Sequence, residues 1–398
     1  MTINRACIIL WVILFTTGMW LAMHRPLWND ELCSQKVAIE GASWQELLTG
    51  NIHELNNPPL YYALQKIITS VVPLRFPDDF IHDYGFPVER RKYFLYVYPK
   101  GQILLRILPD IFMVTARVFL MRFFWIRDGI MAGLIALLSA LSSGMVWGYW
   151  AEARPYALWF LLTMFQTLFL LEILSQTGSS GRVKVPLAIC NCLLALTVTL
   201  GLFQIIIAQM ILFVFGQRRL RDHFWQGVLP VCIALFYFIV RSSGNMSPGN
   251  MFYFAVNPVE MIRLNLSFEQ ASLLFFYLMA YLCCRVWISG NYDEVKKIWK
   301  GLLHLPNLLI FLFFSILFIV YVYWRWPGTH GGVPIYGRHF LFLSVLGIVL
   351  VSSMFSDLWS GAKGSPFWRW IFGIFFIVLL FSQFLEGFAN AWYQGYYF

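Results

Sequence analysis

With 398 residues, of which 59% are hydrophobic, 19% aromatic and only 12% charged, the chain is far less polar than a soluble domain, where roughly 25% of residues carry charge. That composition excludes an ordinary water-soluble fold and assigns residues 1–398 to a single multi-span membrane domain. The net charge of +9 does not indicate nucleic acid, because Lys and Arg stand between apolar runs rather than in a stripe interleaved with aromatics.

The first apolar run, Ala6 to Met23, is followed by His24, Arg25 and Pro26 rather than by a small-residue cleavage site, so it reads as a retained span. A long polar segment, 24–102, comes next and forms a first outer loop. Within it Leu60–Val72 is apolar but only 13 residues long, below the roughly 17 needed to cross, which predicts a helix lying at the interface. The stretch 73–102 is charged, with Asp78, Asp79, Asp83, Glu89, Arg90, Arg91 and Lys92; it reads either as a wall of an acceptor groove or as a solvated loop.

Crossings are then expected at Ile103–Trp125, Gly129–Tyr149 and Tyr156–Leu174, which put Arg122, Arg127, Arg182 and Lys184 on the inside. The run Val185–Phe215 is 31 residues long, or about 46 Å as one helix, too long for one crossing and short for two. Charge decides: a tight hairpin keeps Arg218, Arg219, Arg221, Lys296, Lys297, Lys300 and Lys363 inside, whereas a single crossing would expose them all. Phe224–Val240, Ala271–Trp287, Leu305–Trp324, His339–Phe355 and Trp370–Leu385 complete about eleven spans with an external carboxyl terminus. The expected fold is therefore all-α. The sequence Gly-Ser-Ser-Gly at Gly178–Gly181 is a flexible inner connector. No fixed-period repeat and no disulfide or metal-type Cys spacing is visible among the seven cysteines.

Under this topology four polar groups share the outer side: Trp28-Asn29-Asp30-Glu31, Asn56-Asn57-Pro58-Pro59-Leu60-Tyr61-Tyr62, Glu152-Ala153-Arg154-Pro155-Tyr156 and Tyr336-Gly337-Arg338-His339. Charged groups at the membrane boundary are costly unless paired, hydrated or bound, so their convergence points to a site for a charged ligand. Each also has a plainer explanation. Asp30 and Glu31 would cap a juxtamembrane helix, and Pro58-Pro59 would start one. Arg154 and Arg338 would snorkel to headgroups, and His339, with no second His at metal spacing, would be structural.

In their order, these motifs resemble the GT-C glycosyltransferases, and most of all the protein O-mannosyltransferase and aminoarabinose transferase branch. The resemblance covers about the first 220 residues plus the Arg338 region; 103–220 carries the rest of the motif-bearing core, and 221–398 holds variable spans. It implies an inverting glycosyltransferase that moves a sugar from a polyprenyl-phosphate-linked donor to a hydroxyl of a glycan, lipid or protein acceptor. Asp30 is the implied general base, with Glu31 beside it. Arg154 and Arg338 stabilise the leaving phosphate, as bidentate guanidinium groups can. Asn57, Tyr61, Tyr62, Glu152, Tyr156 and His339 are supporting or acceptor-binding residues. Glu31 and Glu152 orient these groups, bind the acceptor or hold a divalent metal ion. Asn56-Asn57 departs from relatives, which often have His or Glu-Lys there, and supplies neither a strong metal ligand nor a cation. The implied place is a plasma or bacterial inner membrane, with the site facing the exterior or periplasm and membrane lipids around the spans. The competing readings are a lipid-linked sugar flippase or transporter, expected to carry midplane charges and broken helices, and a non-catalytic assembly subunit.

Overall fold

The computed structural model describes residues 2–28, 31–32, 34–50, 57–72, 95–96, 99–175, 181–215, 220–243, 341–361 and 366–393. Helix α1 spans Ile3–His24 and leads through Leu27–Trp28 (β1) into three short elements: a π-helical segment Ser34–Gly41, α2 at Trp44–Thr49 and α3 at Leu60–Val71. Among the described residues the only sheet pairs β1 antiparallel with β2, Leu95–Tyr96. This small ladder closes the neck of the first loop, so the chain that leaves α1 returns beside it before α4 begins. Ser43 and Glu46 form a reciprocal capping box on α2, and Gly50 ends it in the left-handed conformation, φ 78°.

Helix α4, Pro99–Asp128, has 30 residues and is longer at both ends than the expected Ile103–Trp125. It runs antiparallel to α1: Arg106 bonds the carbonyls of Ala22 and Arg25, while lower down the Trp11 indole donates to Thr115 Oγ1 at 3.2 Å. The expected continuous span Gly129–Tyr149 is instead broken into α5, Ile130–Leu141, and α6, Gly144–Gly148. Ser142 and Ser143 stand at the break and bond locally: Ser142 Oγ donates to the Ser139 carbonyl at 2.8 Å, and Ser143 Oγ caps α6 by accepting the Val146 N–H at 3.4 Å.

Tyr156–Ser175 (α7) follows the expected span closely. The long apolar run beyond it folds as two helices, Gly181–Ala195 (α8) and Gly201–Phe215 (α9), as the inner-charge argument required. Then come α10 (Leu220–His223), a π-helical turn Phe224–Val228, α11 (Leu229–Ser243), α12 (Leu341–Gly361) and α13 (Pro366–Tyr393). The expected crossings Ala271–Trp287 and Leu305–Trp324 lie outside the described residues. Among those described, Ile3–His24 and Tyr156–Leu174 are long and apolar enough to cross a bilayer alone, and the other apolar stretches are shorter.

The helices share two ends. At one, the Leu60 N–H reaches the Leu196 carbonyl at 2.9 Å, the Tyr237 hydroxyl reaches the Leu48 carbonyl at 2.8 Å, and Trp159 stacks on Phe342. At the other, Lys184 pairs with Asp222 at 2.6 Å and His223 lies edge-on to Phe213. Polar side chains tie the bundle between these ends. Gln204 accepts from the Trp159 indole at 2.9 Å and donates to Gln166, which donates to Asn191 at 2.8 Å. Such bonds hold helices together where lipid removes the hydrophobic drive for helix association.

Candidate active site at the loop end of the bundle

Glu31 is the centre of the site's geometry. The residue is buried, and its carboxylate accepts from Arg106 Nε at 2.9 Å and Nη2 at 2.6 Å, a bidentate pair across two elements. Oε1 also accepts the backbone N–H of Ala153 at 2.7 Å. Arg106 spends its remaining donors on the end of α1, reaching the carbonyls of Ala22 at 3.0 Å, Arg25 at 2.5 Å and Pro26 at 2.8 Å. Gln102, one turn earlier on α4, donates to the Met23 and Arg25 carbonyls. The loop that opens on Asp30-Glu31 is thus bound to α1, to α4 and to the Glu152–Arg154 turn at once.

Arg154 is buried. Its Nη1 donates to Ser34 Oγ at 2.8 Å, and its guanidinium lies 5.8 Å from the centre of the Tyr156 ring. Its own N–H reaches back to the Glu152 carbonyl at 2.8 Å, a tight turn that sets Glu152 and Arg154 close together ahead of α7. Tyr61 and Tyr62, in the first turn of α3, are fully buried with their rings edge to face. Asn57 donates to the Tyr62 hydroxyl at 3.4 Å. Burial pushes the Tyr61 phenol well above its ordinary pKa, aided by the negative charge of Glu31, by Tyr62 and by Glu152, and opposed by Arg154. Tyr61 therefore stays neutral among charged neighbours.

The structure brings together Glu31, Tyr61, Glu152 and Arg154, with Tyr62, Asn57 and Tyr156 beside them. Asp30, Arg338 and His339 lie outside the described residues. Among those described, no three His, Cys, Asp or Glu side chains gather to hold a metal ion.

Four residues at this end were not singled out from the sequence. Arg106 and Ser34 are the partners of Glu31 and Arg154. Gln65 docks α3 onto α4 through the Leu105 carbonyl at 3.0 Å, and Lys66 ties α3 to the carbonyls of Ile39 and Ala42. Arg106 had a signal: it is a cation inside an apolar run, and such residues mark function or pairing. So had Asp110 and Arg117, both fully buried within α4. They show that charged side chains also lie within a span, where a hydropathy average hides single ionisable residues.

No family model and no curated protein matches the sequence. The fold is shared with the crystal structure of ArnT from Cupriavidus metallidurans in the apo state, with a TM-score of 0.55 and 12% sequence identity. The match covers 89% of this chain and 60% of ArnT, so the chain spans less than two thirds of that protein's length.

Proposed function

We propose that the chain is a GT-C-type inverting glycosyltransferase that moves a sugar from a polyprenyl-phosphate donor to a hydroxyl acceptor on the non-cytoplasmic face of a membrane. The observation that carries this reading is the tether on Glu31. A buried ion pair, three backbone carbonyls and the Ala153 N–H fix the residue next to Asp30 against the turn that holds Arg154. A base and an anion-binding guanidinium on separate loops must keep a set distance for in-line displacement, and a tether on the neighbour of Asp30 supports this reading. The fold shared with ArnT gives such a site a scaffold.

In this mechanism Asp30 accepts the proton of the acceptor hydroxyl as its oxygen attacks the anomeric carbon. The carbon–oxygen bond to phosphate breaks on the opposite face, and the phosphate leaves with the bonding electrons, giving inversion in one step. Arg154 and Arg338 neutralise the charge that develops on the leaving group. Glu31, held by Arg106, is a positioning residue, and Tyr61, Tyr62, Asn57, Glu152, Tyr156 and His339 shape the donor and acceptor pockets. Of Glu31 and Glu152, the two carboxylates that could hold a divalent ion, Glu31 is taken up by Arg106 and the Ala153 N–H, which leaves Glu152 for that role.

One observation favours a second reading, a lipid-linked sugar flippase: Asp110 and Arg117 are buried ionisable groups within a span, and α5 and α6 form a broken helix. Asp30→Asn separates the two, because Asn has nearly the same shape but accepts no proton at neutral pH. Sugar transfer by the purified protein should fall about 100- to 10,000-fold with donor binding retained. Transfer at the wild-type rate would remove Asp30 from the mechanism, and unimpaired lipid translocation without transfer would establish the flippase instead.

A further inference from the structure

Deep in the bundle, Trp150 is gripped on two sides by one helix. Its indole Nε1–H donates to Asp110 Oδ1 at 2.7 Å, and the Arg117 guanidinium carbon lies 3.3 Å from the centre of its ring. Asp110 and Arg117 are seven residues apart on α4, two turns along the same face, so one takes the edge of the ring and the other its flat side. Trp150 and both α4 residues are 0% exposed. From the opposite side Gly18 of α1 closes the space: a Cβ there would stand 1.9 Å from Asp110 Oδ1 and 2.6 Å from Trp150 Nε1.

Arg117 makes this arrangement unusual. Among the described residues none of its three guanidinium nitrogens has a hydrogen-bond partner, and neither has Asp110 Oδ2. An ionised side chain in a low-dielectric interior is costly unless something compensates. The compensation here is the indole face, whose attraction for a cation is strongest where water is excluded, together with the Asp110 carboxylate. A device this costly is out of proportion to the packing of one tryptophan.

Its position gives it a use. Trp150 precedes Glu152 by two residues, Ala153 by three and Arg154 by four. Ala153 meets Glu31 and Arg154 meets Ser34, so the turn is fixed at its far end by the loop, while at its near end Trp150 is the side chain held by α4 and Arg25 Nη1 bonds the Trp147 and Gly148 carbonyls just before it. Trp147, one turn before, packs on Trp150 at 4.9 Å and on Phe384 and Phe388 of α13. We propose that Asp110, Trp150 and Arg117 form a positioning clamp that sets the Glu152–Arg154 turn, and through it the aim of the Arg154 guanidinium at an anionic lipid phosphate. The aim at phosphate rests on the glycosyltransferase reading; the clamp does not.

Two variants probe it from opposite sides. Trp150→Phe keeps an aromatic face for Arg117 but removes the N–H, and Gly18→Ala drives a methyl group into the Asp110–Trp150 bond. Amide hydrogen exchange in detergent is read at Ala153 and Arg154, and binding of undecaprenyl phosphate in the same preparations. Loss of a hydrogen bond to a buried carboxylate corresponds to roughly 10- to 100-fold. Both amides should exchange faster by about that factor in both variants. Phosphate binding should weaken, and the loss from Trp150→Phe should shrink when Arg154→Lys is already present, because both act on one contact. Unchanged exchange at both amides in both variants would overturn the clamp. Faster exchange with wild-type phosphate binding, or losses that simply add, would overturn its link to Arg154. A wild-type protein that binds neither undecaprenyl phosphate nor its sugar conjugate would overturn the enzyme reading, with the exchange data still deciding the clamp.

Discussion

Replacing Arg106 by Met keeps the length and apolar stem of the side chain and removes the charge. Glu31 and Arg106 side chains are 0% and 4% exposed, so neither charge finds water when the other is removed. Stranding one member of such a pair costs about 3–5 kcal/mol, and three carbonyls, of Ala22, Arg25 and Pro26, lose donors as well. Glu31→Gln strands the Arg106 cation instead and is expected at the lower end of that range, about 3 kcal/mol, because Arg106 keeps those carbonyls and Gln still offers Ala153 an acceptor. The double variant removes the stranded carboxylate, so its loss should fall short of the sum of the two single losses by at least about 1 kcal/mol. Unfolding in mixed micelles of rising SDS content measures all four proteins. A loss below about 1 kcal/mol for Arg106→Met, or a double variant equal to the sum, would refute the idea that this pair locks the loop.

Two further outcomes are expected. Arg154→Lys, and likewise Arg338→Lys, keeps the charge but loses the planar fork, so turnover with a polyprenyl-phosphate sugar should fall about tenfold or more; wild-type rates in both would reduce these residues to membrane anchors. Tyr61 has a folded pKa raised by burial, so the folded state holds its proton more tightly than the unfolded chain does, and its contribution is complete below the unfolded value of about 10 and declines as pH rises past it. Tyr61→Phe should therefore lessen the alkaline loss of stability, read as unfolding midpoints between pH 8 and about 11, and an unchanged slope would show that Tyr61 titrates as it does in water.

Much of the architecture was legible because lipid imposes simple rules. Length and hydropathy gave α1 and α7, and the charge argument on Arg218, Arg219 and Arg221 called for two helices in a run that neither length nor hydropathy could decide, where α8 and α9 stand. The short helix at Leu60 was visible as an apolar run too short to cross, and it ends within one residue of its expected limit. Within the site, residues that punctuate a span boundary were recognisable, which is why Glu31, Tyr61, Glu152 and Arg154 were found and are seen together. Their partners were not. Arg106 is diluted by the apolar residues around it, Ser34 carries no signal of its own, and the pairing of Leu27 with Tyr96 joins two segments separated by the whole first loop. The break at Ser142-Ser143 is marked by local hydroxyl bonds that a hydropathy scan cannot register.

The prolines explain how the short loop helices and the spans are held in register. A proline inside a helix has no N–H, so the carbonyl four residues earlier is left without its usual donor. Pro109 interrupts α4 in this way, and the carbonyl released is that of Leu105, the same one that accepts Gln65 from α3. Pro230 stands in the first turn of α11, and the carbonyl four residues before it, Gln226, accepts both Asn191 at 2.6 Å and Gln209 at 3.0 Å. In each case a buried side-chain amide satisfies an acceptor that lipid cannot, so a local defect in one helix becomes the docking point for another. The Pro109 case falls beside Arg106, one residue beyond the freed Leu105 carbonyl. Helix α3, which carries Tyr61 and Tyr62, and the Glu31 loop are thus fastened to the same turn of α4. Two segments far apart in sequence share one anchor, which is why their polar residues meet at a single site.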